Sequence, residues 1–186
     1  MQGGDAVPQD VYLAFPGEAL PEDYFATRYD VLRRPLGRPP GSERLPDEEE
    51  ALHAWVALEG RIVAVARAHL LVGDGAAADH AGPGAASIPA FEPLRGPHHA
   101  SLRPAVQIRQ MGVVDAHRGR GFGALVLQHL ERAVVEHWQA TTGWLQAREG
   151  AIGFYERCGW STFGSCYVID GVGPHMSMRK SLNPSI

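Results

Sequence analysis

The passage QIRQMGVVDAHRGRGFGALVLQHLERAV, residues 107–134, reads as a strand ending near Val114, a short turn, and a helix whose apolar positions include Leu125, Leu127, Leu130 and Val134. Between them stands Arg118-Gly119-Arg120-Gly121-Phe122-Gly123. Three glycines at a helix start are poor for helix propensity, so another demand explains them. Backbone access meets that demand. Bare amides in a first helical turn point unobstructed at an anion, and the helix dipole favours negative charge at the same place. The turn therefore reads as a phosphate or pyrophosphate cradle.

Upstream, Val11–Phe15 reads as a short strand. Glu22–Arg34 follows as a helix with Phe25, Tyr29 and Leu32 on one face, stopped by Pro35. Residues 35–46 hold four prolines and two glycines in twelve residues, a loop by turn chemistry. The acidic run Asp47–Glu50 reads as a solvated face. Two β-rich runs on either side of Glu59-Gly60 make a hairpin. Residues 73–104 carry eight alanines, five glycines and five prolines in 32 residues without periodicity, and read as a long or partly disordered loop. Its His80, His98 and His99 lack a partner at metal-ligand spacing. Downstream of the helix come a strand over Gly143–Arg148, a short helix over Ala151–Cys158, and two strands around the turn Gly171–Pro174. Strands flanking two helices give an α/β or α+β fold with a mixed sheet.

The chain has 186 residues, 45% of them hydrophobic, and a formal net charge of -4. That is the size of a single domain with a core, residues 1–186, interrupted by a loop insertion at about residues 73–104. Mild acidity argues against a nucleic-acid-coating surface, which needs clustered cations. Cys158 and Cys166 are eight residues apart with no further cysteine, which fits neither a disulfide framework nor a zinc site. Neither a signal peptide nor an apolar run of membrane-spanning length is present in these residues, so a cytoplasmic protein is expected.

Two kinds of cofactor site use a turn of this type. Gly119, Gly121 and Ala124 imitate a dinucleotide-binding G-x-G-x-x-A, but too little chain follows for further βαβ units. Arg118, Gly121 and Gly123 instead form R-x-x-G-x-G, which resembles the pyrophosphate motif of the GCN5-related N-acetyltransferases. The likeness extends through Ala151, Phe154, Tyr155, Gly159 and Trp160 of AIGFYERCGW, which is similar to the family's A-x-x-F-Y-x-x-x-G-F/W segment. The ending DGVGPHMSM resembles that of the ElaA-like subgroup, with one extra residue in the turn.

This resemblance implies a mixed, mostly antiparallel sheet flanked by helices, with splayed fourth and fifth strands. It also implies acetyl transfer from acetyl-CoA to a primary amine of a small molecule or peptide by direct attack on the thioester, without a metal. A homodimer is admitted; nucleic acid and membrane are not expected partners. Met111, Gly112 and Val113 would meet the pantetheine arm and thioester carbonyl, and Arg118, Gly119, Arg120, Gly121, Phe122, Gly123 and Ala124 the pyrophosphate. Tyr155 matches the family's general acid. Amide donors at the developing oxyanion would lower the barrier most.

The base is open. Gln107 stands where relatives often carry Glu, and it cannot take a proton. His175 and Glu149 are the candidates, His175 having the more suitable intrinsic pKa. Arg148 stands where many relatives place an Asn that contacts pantetheine. Two other readings remain: a non-catalytic acyl-CoA-binding module that lost its base, and a dinucleotide-binding oxidoreductase.

Overall fold

The structure is a computed structural model that describes residues 9–72 and 88–182. The strands are β1 (Gln9–Ala14), β2 (Leu52–Leu58), β3 (Arg61–Leu70), β4 (Ala105–Val113), β5 (Thr142–Arg148), β6 (Ser161–Ile169) and β7 (Gly173–Ser181). The helices are α1 (Glu22–Leu32), α2 (Phe122–Trp138) and α3 (Ile152–Arg157). The strands lie in the sheet order β1-β2-β3-β4-β5-β7-β6. β4 runs parallel to β5, while β1–β2, β5–β7 and β6–β7 are antiparallel. This is the mixed, mostly antiparallel sheet expected of the resemblance. A doubly wound nucleotide fold would need successive parallel crossovers instead.

The chain forms two compact units, Met1–Arg67 with Gln110–Leu130, and Ala68–Arg109 with Glu131–Ile186. In the first, the hairpin turns at Glu59 (φ 51°) and Gly60 (φ 75°), two left-handed residues that match the twist of β2 and β3. Helix α1 buries Tyr24, Phe25 and Arg28; of the face expected from spacing, Phe25 is buried while Tyr29 and Leu32 are half-buried. Tyr24 and Phe25 pack with Val65, Trp55 and Ile62.

Arg28 can be buried because Glu48 neutralises it: Glu49 and Glu50 of the acidic run are exposed, as the sequence reading expected, but Asp47 and Glu48 are half-buried against arginines. Glu48 accepts from Nη1 and Nη2 of Arg28 and from Arg67 Nη1 at 3.3 Å, while Asp47 accepts from Arg67 Nη2 at 2.8 and 2.9 Å. Both arginines are fully buried. Burial pushes the Glu48 carboxyl up, but hydrogen bonding to Arg28 and the charges of Arg28 and Arg67 outweigh it and hold it below its ordinary range.

In the second unit, the described part of the expected loop, residues 88–104, is a loop with two 3-10 turns, Glu92–Leu94 and His99–Leu102. Residues 73–87 and His80 lie outside the described residues. Phe91 and Leu94 are buried in one cluster with Leu71, Ala105 and Trp144. Phe91 meets Trp144 at 5.5 Å between ring centroids, and Trp144 meets Phe163 edge-on at 5.4 Å. A proline- and glycine-rich composition hid these two apolar anchors, which stand three apart on a single 3-10 turn. On the other side of the sheet Trp160 covers Gly143, where a Cβ would lie 2.7 Å from the indole. The one lysine, Lys180, bonds Glu131 of α2 at 2.6 Å and the Cys158 carbonyl at 2.8 Å, tying α2 to the end of α3.

Candidate active site

In the first unit, β4 delivers the chain to a 3-10 turn at Asp115–His117 and then to α2. Gly119 (φ 72°) and Gly121 (φ 88°) are left-handed, and a Cβ on either would meet nothing within 4 Å. These glycines serve backbone conformation, not packing. The amide of Leu125 donates to the Gly121 carbonyl, so Gly121 caps α2 and has no side chain to satisfy the first amides. The N–H groups of Phe122, Gly123 and Ala124 are thus the orphan donors of the helix start.

The flanking arginines are held aside. Arg118 pairs with Asp115 at 2.8 Å, and Arg120 donates to His117 Nδ1 at 2.9 Å. The turn fits a pyrophosphate: bare left-handed glycines, uncapped amides and two adjacent cations. Gly112 has a packing role that the sequence did not reveal, since a Cβ there would come within 2.6 Å of Val31 Cγ2 on α1.

In the second unit, the β4–β5 ladder pairs Ala105, Val106 and Gln107 with Thr142, Gly143 and Trp144. β5 goes on pairing with β7 as far as Arg148 and His175. Where the β4–β5 ladder stops, buried Gln107 donates from Nε2 to Gln146 Oε1 at 3.1 Å. Register puts Gln146 opposite Ser177 and Arg148 opposite His175. Pleating places Gln107, Gln146, Ser177 and His175 on one face, opposite the face that packs on Trp160. Tyr167 pairs with His175 across β6 and β7, and their rings stack at 6.0 Å. Gln146, Ser177 and Tyr167 were missed in the sequence. The signal for Gln146 was there: a polar residue in phase with Trp144 and flanked by the apolar Leu145 and Ala147.

His175 Nδ1 lies 2.7 Å from the Gly173 carbonyl, which can only accept, so Nδ1 carries the proton and Nε2 the lone pair. Burial lowers the His175 pKa and the Arg148 charge adds to this, against the opposing Gly173 hydrogen bond. The ring is therefore neutral at pH 7. Tyr155 contacts Phe154 at 5.0 Å and Trp160 at 6.2 Å, so it belongs to the Trp160 side of this unit, and His175 belongs to the other. Burial, with a smaller contribution from Cys158, pushes its hydroxyl well above the ordinary tyrosine range and keeps it protonated. Glu149 is exposed in the 3-10 turn after β5. Among the described residues, no group of three or more His, Cys, Asp or Glu could hold a metal ion.

Residues 17–160 match the sequence profile of the acetyltransferase (GNAT) family. The chain belongs to that family. The GNAT reaction moves an acyl group from an acyl-CoA to an amine. A curated relative, the uncharacterized N-acetyltransferase YitI of Bacillus subtilis, is 29% identical over 99 residues, which span 53% of this GNAT chain and 65% of YitI. Escherichia coli ElaA superposes with a TM-score of 0.62 at 19% identity, over 94% of this chain and 100% of ElaA. An aminoglycoside 6'-N-acetyltransferase solved with coenzyme A gives 0.59 at 14% identity, over 87% and 92% of the two chains. At these identities the structural likeness carries the fold alone. No helix among the described residues is long and apolar enough to cross a membrane.

Proposed function

We infer that this GNAT protein acetylates a primary amine of a small molecule or peptide with acetyl-CoA, in the cytoplasm, where its two free cysteines stay reduced. The observation that carries this reading is the uncapped start of α2 behind two left-handed glycines with open space above them. Acetyl-CoA supplies the activated thioester. The amides of Phe122, Gly123 and Ala124, with Arg118 and Arg120, are suited to its pyrophosphate. The backbone of Met111 and Val113 is assigned to the pantetheine and thioester carbonyl, where amide donors stabilise the charge that develops on oxygen.

An ammonium cannot attack, so the acceptor must lose a proton; a lysine-type amine has a pKa of about 10.4. His175 is assigned as base through the lone pair on Nε2, and its lowered pKa keeps that pair available at neutral pH. Tyr155, held protonated by burial, is assigned to return a proton to the departing thiolate. Its contribution is moderate, because a thiol of pKa about 8.5 already leaves readily.

Calorimetric titration with acetyl-CoA is expected to show saturable binding, and thiol release with an amine panel to show turnover. Tyr155→Phe should spare binding and slow turnover, and His175→Gln should remove the fall in rate on the acid side of neutrality. No heat at millimolar ligand would overturn the reading. Binding without thiol release from any amine would leave a binding module, the alternative favoured by Gln107 bonding Gln146 in place of a base.

A further inference from the structure

Gln110 is the one residue of β4 with a positive φ: its φ is 50°, left-handed, on a side chain that has no intrinsic preference for it. Such a conformation persists only where the surroundings over-determine it. Two residues later, Gly112 is so close to α1 that a Cβ would fall 2.6 Å from Val31 and 3.2 Å from Leu32. The kinked segment therefore rests directly on the last turn of α1.

Arg33, the residue that caps that turn, reaches from the kink to the loop after α1. Its Nη2 donates to Gln110 Oε1 at 2.7 Å, a charge-assisted bond, and its Nε donates to the Ser42 carbonyl at 2.9 Å. Its own amide closes α1 on the Tyr29 carbonyl, and its carbonyl accepts from Leu36 and Arg38. One planar guanidinium thus joins the helix end, the loop after it and the kinked strand.

We propose that Arg33 is a positioning residue for acetyl transfer: it holds Gln110 in its left-handed conformation and so aims the backbone of Met111 and Val113, while tying that segment to the loop that carries Ser42. The inference rests on the acetyltransferase reading for the role of Met111 and Val113, and on the geometry above for the role of Arg33. Lysine cannot replace Arg33, because a single ammonium cannot donate along both directions of the guanidinium plane.

The test compares Arg33→Ala, Arg33→Lys, Gln110→Ala and the Arg33→Ala/Gln110→Ala double variant, with Arg34→Ala as control. Arg34 sits beside Arg33; its guanidinium pairs with Asp30 at 2.7 Å on the surface and lies 5.4 Å from the Tyr29 ring centroid. The readouts are CoA affinity by calorimetry, kcat for thiol release from acetyl-CoA with the best amine of a panel, and the amide resonances of Met111 and Val113. Arg33→Ala and Arg33→Lys are expected to lower kcat by at least about tenfold with CoA affinity kept within about twofold, because misplaced reacting groups are expensive in rate. Gln110→Ala should do the same, the double variant should be no worse than either single one, and both resonances should shift in the Arg33 variants and not in Arg34→Ala. Wild-type kcat in the Arg33 variants, multiplying effects in the double variant, or unmoved resonances would each overturn the proposal. A wild-type protein that binds no CoA would overturn the acetyltransferase reading instead, and the resonances would still report whether Arg33 holds the strand.

Discussion

At the scale of single residues, His53 shows how strongly burial can act on a titratable group that takes no part in the chemistry. Its Nε2 lies 3.0 Å from the Glu48 carbonyl, and the Tyr24 hydroxyl is 3.1 Å from Nδ1. Burial pushes its pKa down to about 4 from 6.5, against the pull of Glu48 and with the help of Arg28 and Arg67. The unfolded chain therefore takes up a proton that the folded chain refuses. The stability contribution is full above pH 6.5 and drains away as pH falls towards 4, by roughly 3 kcal/mol in all. Urea unfolding between pH 4 and 7 should show His53→Gln losing less stability on acidification than the wild type; equal slopes would remove His53 from the account. The site residues differ in how legible they were. Gly119 and Gly121 could be read from sequence because glycine is the residue that left-handed backbone selects. Gln110 could not, because nothing local distinguishes a glutamine held left-handed by an arginine 77 positions away.

At the scale of elements, the boundaries of α1, the β2–β3 hairpin, α2, α3 and the final β6–β7 hairpin all followed from period, prolines and turn glycines. Those signals are local. The pairing of Asp47 and Glu48 and the burial of Phe91 in the insertion went unread for one shared physical reason: each is defined by a partner far along the chain. Asp47 and Glu48 look solvated until Arg28 and Arg67, about twenty residues to either side, arrive buried without charge compensation. Phe91 looks like a stray aromatic in a glycine-proline loop until Trp144 and Phe163 meet it. Phe91 is fully buried, so Phe91→Ala should destabilise the protein by about 3–5 kcal/mol in urea unfolding, whereas Val72→Ala, at an exposed position, should change it by less than about 0.5 kcal/mol. A small effect at Phe91 would mean that the insertion contributes nothing to the core.

At the scale of the whole molecule, acetyl-CoA binding and folding are linked. A ligand that binds only the native state stabilises it by about 2.7 kcal/mol at a hundredfold excess over its dissociation constant. Thermal unfolding should therefore shift upwards with the logarithm of CoA concentration and stay unmoved by NADH, and Gly121→Val should abolish the CoA shift. A shift with NADH alone would restore the dinucleotide reading that the antiparallel strand pairings argue against. By itself the sequence determined the order of strands and helices, the glycine turn before α2 and the acetyltransferase resemblance, because each is written in residues close together along the chain, where period, propensity and turn chemistry act. Only the tertiary structure decided where β4 parts from β5, just beyond Gln107, that two arginines lie buried on an acidic turn, that the insertion carries core, and that Arg33 grips the kink at Gln110. Those features depend on contacts between residues tens of positions apart, and their energies come from desolvation and packing that exist only once the chain has closed on itself.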